Sequence, residues 1–221
     1  MTAIIPPKNE TLPKAKGRPR SFDRAQALHR ALEVFWTRGY GPATMAELCA
    51  AMGINPPSLY AAFGNKASLF LEAVEHYETT YWAAPWRRLK EEPDLRRALE
   101  RFLCEAAAIL SMRDVPCGCV VVLATANVAP EAQDICDAMK TLREASRTGF
   151  QRRFEQAVTA GDLPPDADVA ALAAVFTAVL QGMSVQARDG APREELERIA
   201  RTSLAMLPAP GLSPNPSLRT Q

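Results

Sequence analysis

Histidine is almost missing: His29 and His76 are the only two in 221 residues. The five cysteines, Cys49, Cys104, Cys117, Cys119 and Cys136, are odd in number, and no two stand in a CxxC spacing. Common zinc sites need four Cys or His ligands at close spacings, so no metal and no metal cofactor is expected. No P-loop, Ser/His/Asp grouping or metal-ligand helix occurs either, which argues against an enzyme. Long apolar runs are absent. The run around Val120-Val121-Val122-Leu123-Ala124 falls far short of the roughly 20 residues a membrane span requires. With no signal-peptide pattern, a cytoplasmic protein with reduced thiols and no membrane partner is expected. Net charge is also close to nil, at +1.

The charge is nevertheless uneven. Through Lys66 there are nine basic residues against four acidic ones, whereas the remainder holds 17 against 21. A basic first third joined to an acidic remainder suggests that the first part faces a polyanion, although a solvated basic tail has the same signature. Hydrophobic residues make up 48%, enough for a proper core.

No segment alternates with period two, and helical spacing recurs throughout, so an all-α fold is expected. Residues 1–20 hold four prolines and scattered Lys and Arg without apolar period, as in a mobile basic arm. From Phe22 the positions Ala25, Leu28, Leu32, Phe35 and Trp36 mark a helix that Gly39 and Pro42 stop. Thr44-Met45-Ala46-Glu47 is a capping box opening a second helix, which ends at Gly53. Asn55 as N-cap and Pro56 in the first turn open a short third helix to about Ala62. Asn65 caps a fourth, amphipathic through Tyr81 until Pro85. Further stripes follow at Leu95–Leu110, at Ile135/Met139/Leu142 and at Phe150/Phe154/Val158. The last two helices are expected over 167–189 and 192–206. The Pro-rich tail from Pro208 cannot bury enough apolar surface to order itself.

Two helices joined by a tight Gly turn and braced by a third are the parts of a helix-turn-helix, though a generic helical hairpin shares them. The residues themselves go further. Gly39-Tyr40, Thr44, Gly53, Asn55, Leu59, Tyr60, Phe63, Lys66 and Leu69 follow a dense signature, and the segment Phe22–Phe70 resembles the DNA-binding domain of TetR/AcrR-type regulators. Two departures stand out. Pro57 after Pro56 withholds another amide from the recognition helix, and Ser68 replaces a common Glu at the start of the fourth helix.

The resemblance implies an N-terminal three-helix DNA-binding domain over 21–66 and a helical effector-binding and dimerisation domain over 67–207, with 208–221 as a tail. It also implies a homodimer on a near-palindromic double-stranded operator, acting as a repressor that a small effector releases. Thr44 would meet a phosphate through its hydroxyl and the helix N-terminus. Pro56, Pro57 and Ser58 would approach base edges, and Tyr60 and Lys66 would clamp phosphates. Asn55 serves as a cap before it serves as a reader, and Tyr60 has core filling as its alternative. Arg18 and Arg20, in Lys16-Gly17-Arg18-Pro19-Arg20, have the form of a minor-groove arm. Phe102, Ala106, Cys119, Met139, Phe150, Phe154, Phe176 and Met183 are expected to line an effector pocket, and Leu172, Phe176, Leu180, Leu196 and Ile199 a dimer interface. Pro116-Cys117-Gly118-Cys119 invites a thiol or metal sensor, but ordinary packing explains it as well.

Overall fold

The structure is a computed structural model that describes residues 22–124 and 132–209; Arg18, Arg20 and the tail beyond 209 lie outside the described residues. No strand occurs among the described residues, so the all-α expectation holds. Helix α1 spans Arg24–Arg38, two residues later than the apolar pattern suggests. The reason is Asp23, whose carboxylate accepts from the amides of Ala25 and Gln26 and so fixes the start. Gly39 then ends the helix at φ 82°, and its N–H donates to the Phe35 carbonyl. Helix α2 (Met45–Met52) opens on the Thr44–Glu47 capping box and closes on Gly53 in the left-handed region. Helix α3 (Pro56–Phe63) begins with both prolines inside its first turn.

Helix α4 covers Lys66–Tyr77, and the chain does not stop at Pro85. A π-helical turn over Glu78–Trp82 passes directly into helix α5, Ala83–Glu91. Pro85 lies inside the continuing helix, where it cannot supply a ladder N–H, and the wider π turn sits immediately before it. The connector is therefore one rod with a wide turn in the middle. Helix α6 (Leu95–Leu110) is followed by a loop and the short helix α7, Val120–Leu123. The two stripes at 135–142 and 150–158 belong to one helix, α8, Gln133–Ala160. The gap between them is at Gly149, where an added Cβ would lie 3.0 Å from the Trp86 ring. Helices α9 (Val169–Arg188) and α10 (Arg193–Ser203, with a 3₁₀ turn Leu204–Met206) complete the chain.

In the head, α1 packs on α4 through Phe35 and Phe70, with Tyr40 of the following loop against them; the ring centroids are 5.0 Å (Phe35–Phe70) and 5.1 Å (Tyr40–Phe70) apart. Arg24 pairs with Glu72 across α1 and α4 and lies 4.4 Å from the Phe63 ring, which holds α3 in place. In the body, Trp86, Phe102, Phe150 and Phe176 form a chain of aromatic contacts linking α5, α6, α8 and α9.

Candidate nucleic-acid interface and effector cleft

Helix α3 is held from below and presented from above. Leu59 and Phe63 are buried, whereas Asn55, Pro56, Pro57 and Tyr60 are exposed and Ser58 is half-buried. Neither proline carries an N–H, and the first amide, Ser58 N, donates to the Asn55 side chain at 2.9 Å. The head of α3 therefore keeps no free backbone amide in its first turn, and any contact there falls to side chains. Tyr60 is 53% exposed, which removes core filling as its role.

Thr44 sits at the other helix start. Its hydroxyl accepts from the Glu47 amide at 3.2 Å and donates to the Glu47 carboxylate at 3.0 Å, while its own amide donates to that carboxylate at 3.0 Å. These Thr44 hydrogen bonds, with Arg38 nearby, hold the Glu47 carboxyl below its ordinary range. Lys66 is less free than the sequence suggests. Its ammonium donates to the Gly41 carbonyl at 3.0 Å and lies 4.6 Å from the Tyr40 ring, so it staples α4 to the α1–α2 corner. Desolvation there lowers its pKa.

The same corner is bonded to the body. Trp36 Nε1 donates to the Gly118 carbonyl at 2.9 Å, and the Tyr40 amide donates to the Ala124 carbonyl at 3.0 Å. Arg188, at the end of α9, reaches the Trp36 and Thr37 carbonyls at 3.3 and 2.7 Å and the Cys117 carbonyl at 3.5 Å. Arg188 thus satisfies carbonyls that α1 leaves open at its C-terminus. The Cys119 amide donates to the buried Ser184 hydroxyl at 2.8 Å. This latch was not visible in the sequence, where Gly118 stood out only as a bend between cysteines.

Beside the latch, the body contains a cleft of two adjoining lobes, a narrow inner one of about 30 Å³ and a wider outer one of about 380 Å³, which share Glu78, Trp86 and Ser146. Of the residues expected in a pocket, Cys119 lines this cleft. Phe102, Ala106, Met139, Phe150, Phe154, Phe176 and Met183 are at most 1% exposed and pack as core instead. Apolar side chains at helical spacing face each other; the cleft is walled by amphipathic residues at helix edges, among them Glu78, Trp82 and Arg143. Cys119 is buried, and desolvation pushes its thiol up to about 11, far from the thiolate that reactivity needs. Among the described residues no group of three His, Cys, Asp or Glu is placed to hold a metal.

Desolvation raises the Glu78 carboxyl to about 7, from an ordinary 4.5. Across that window the folded chain binds a proton that the unfolded chain does not, so Glu78 makes stability fall as pH rises through it. Replacing Glu78 by Gln is expected to remove that slope. After discounting for the water that reaches the cleft, the gain near pH 8 is about 1 kcal/mol, to be read from urea unfolding at two pH values. Equal urea midpoint shifts at acidic and alkaline pH would count against it.

Four of the five residues expected at a dimer interface point elsewhere. Leu172, Phe176 and Leu196 are buried within the subunit, and Leu180 lines the cleft; Ile199 is half-buried at the edge of α10. The outward face of α9 carries Ala171, Val175, Ala178 and Val185 instead, and no atom lies within 4 Å of a Cβ placed on Gly182. Helix α9 is long and apolar enough by composition to cross a membrane, yet only 33% of it is buried inside the subunit.

Residues 27–73 match the family described as bacterial regulatory proteins, tetR family, and residues 95–203 match the tetracyclin repressor-like C-terminal domain. The chain is 34% identical over 196 residues to the HTH-type transcriptional repressor ComR of Escherichia coli (strain K12), covering 88% of this chain and 93% of that one. It is 31% identical over 187 residues to the repressor BdcR of the same organism, covering 83% and 88%. Its fold is similar to that of a cysteine-substituted TetR family transcriptional regulator, CifR, solved with 26bp double-strand operator DNA. The TM-score is 0.84 at 42% identity, over 87% of this chain and 100% of that chain.

Proposed function

The chain belongs to the tetR family of bacterial regulatory proteins and is a DNA-binding transcription regulator, and we propose that it is a homodimeric repressor which a small molecule in the α5–α9 cleft releases from its operator. It acts in the cytoplasm, where the DNA is, and without enzymatic turnover. The observation that carries this reading is the pairing of an exposed α3 head with a cleft bonded to the same head through the latch. Two α3 helices related by a two-fold axis reach successive major-groove faces about one turn apart, or a multiple of it, which calls for a near-palindromic site. The test is recovery of the bound operator, followed by a shift assay with and without compounds that occupy the cleft. A protein with no affinity for any duplex near its own gene would overturn the reading.

The roles of the individual residues on α3 follow from their exposure. Ser58 reads base edges, with Pro56 and Pro57 against thymine methyls, and Asn55 is committed to capping. Ser58→Ala is therefore expected to change base preference, by roughly 1 to 3 kcal/mol at one position of the site. Equal losses on every operator variant would remove it from the readers. Tyr60 and Lys66 hold phosphates and fix register, and Thr44 presents the α2 N-terminus to a third. For Lys66→Ala, binding falls on all sequences and the salt slope drops by about one contact. Part of that loss is structural, because Lys66 also braces Gly41 and Tyr40. Outside the described residues, Arg18 and Arg20 are proposed to enter an A·T-rich minor groove. Deleting residues 1–20 should then weaken binding most on sites with A·T flanks.

The dimer is built on the outward face of α9, with Val175, Ala178, Gly182 and Val185 against their partners and the edge of α10 at Ile199 and Met206. Small residues on that face allow two helices to approach closely, and four helices meet as a bundle. This accounts for an α9 that is apolar all round: one face is covered by its own subunit and the other by the second copy.

A further inference from the structure

We propose that the cleft takes an organic anion with an apolar body, a carboxylic acid above all, and that Glu78 shares a proton with it. This rests on the reading of the cleft as an effector site but names the chemistry that reading leaves open. Four of the charged side chains lining the two lobes are basic, Lys90, Arg143, Arg152 and Arg153, and Glu78 is the acidic one. Two of the basic groups are committed in part: Arg143 donates one bond to the Val121 carbonyl at 2.8 Å, and Arg153 bonds the carbonyls of Leu89, Glu92 and Pro93. Lys90 and Arg152 have no ion-pair partner among the described residues, and neither does Glu78. Trp82 adds a donor of its own. It is 3% exposed and lines the inner lobe; its indole N–H lies beside the Tyr77 hydroxyl, and both polar atoms are buried without a partner at full hydrogen-bonding distance. A buried donor without an acceptor is costly, and a ligand oxygen would satisfy it. The set is thus rich in donors and positive charge, with Trp82, Trp86 and Leu180 as apolar wall, and it suits an acceptor-bearing acid better than an amine.

Glu78 decides the pH behaviour. It shares the lining of the inner lobe with Arg143 of α8 and of the outer lobe with Lys90 of α5, and its charge acts on Tyr77 beside it on the rod and on Cys119 ahead of α7. Tyr77 and Cys119 stay protonated, being pushed well above neutrality by burial. Two carboxylates in one lobe cannot both ionise without repulsion, so the bound acid and Glu78 retain one proton between them. With the Glu78 carboxyl already raised to about 7, this proton is available near neutrality.

The test compares phenylbutyrate, phenylbutanamide and phenylbutylamine by calorimetric titration of the full-length protein at about pH 6 and about pH 8. Phenylbutyrate is expected to bind tightest and to tighten about tenfold on acidification across that interval, the change for a ligand that requires a protonated group near 7. Glu78→Gln should keep the binding and lose most of the pH dependence, and Arg143→Gln should weaken it at both pH values. Amine binding stronger than the acid's, tightening as pH rises, or no binding of the acid at millimolar concentration would each overturn the proposal. Phenylbutyrate that binds as expected but leaves operator affinity unchanged would support the ligand class and overturn the effector role, so the two failures are distinguishable.

Discussion

Val175→Asp should leave the subunit folded but convert the dimer to a monomer, with operator affinity reduced by about two orders of magnitude or more. Val175 is 36% exposed on α9 and contributes little to its own core, so the far-ultraviolet signal of the helices should hardly change. At the subunit interface the same position would bury two carboxylates opposite each other across a two-fold axis, each without a partner. Loss of the second half-site contact then removes the advantage of bivalent binding, roughly 10²–10⁴ in affinity. Sedimentation at micromolar protein and a shift assay on the full operator and on a half-site check it together. A variant that remains dimeric, or a monomer that binds the full site as tightly as before, would place the interface elsewhere.

The second large effect is expected at Gly118. Its φ is +83°, and an added Cβ would meet the Ser184 carbonyl oxygen at 2.8 Å and a Leu123 methyl at 2.5 Å. Leu123 can rotate away; a backbone carbonyl on α9 cannot. The left-handed backbone costs about 1 kcal/mol or more for Ala, and the overlap adds a further 1 to 3, so Gly118→Ala should lose about 3 kcal/mol in urea unfolding. The position also supplies the acceptor for Trp36 Nε1. Operator affinity under conditions where the variant is fully folded should therefore fall as well, because the head loses part of its bond to the body. A stability change under about 1 kcal/mol would mean that the loop before α7 is free to move, and the latch would not be rigid.

The head was legible because its signals are local. A capping box at Thr44, Asn caps at 55 and 65, and prolines in a first turn each act within four residues, and each does in the structure what its chemistry implies. Boundaries failed where a tertiary contact replaced a local one. Pro85 reads as a stop, but a π turn precedes it and the rod continues. The stripes at 135–142 and 150–158 read as separate, but they are one helix, and Gly149 between them is the place where Trp86 packs. The cleft was not legible, since Phe150 and Phe176 have the same helical spacing whether they line a cavity or fill it. Helix α9 hid its outer face for a related reason: with apolar residues on every side, periodicity cannot say which stripe turns toward its own core.

The wide turn at Glu78–Trp82 is, in helical terms, a single surplus residue. Removing one, for instance Thr79, would restore ordinary register and rotate everything downstream on α5 by about 100° relative to the head. Trp86 would swing off Gly149, and Leu89 would leave the core. Length variation at this one point therefore acts as a phase dial between reading head and cleft wall, able to present a new set of α5 side chains to the cavity without altering any of them. A library that adds or deletes residues here would sample new ligand specificities more broadly than substitutions within the cleft.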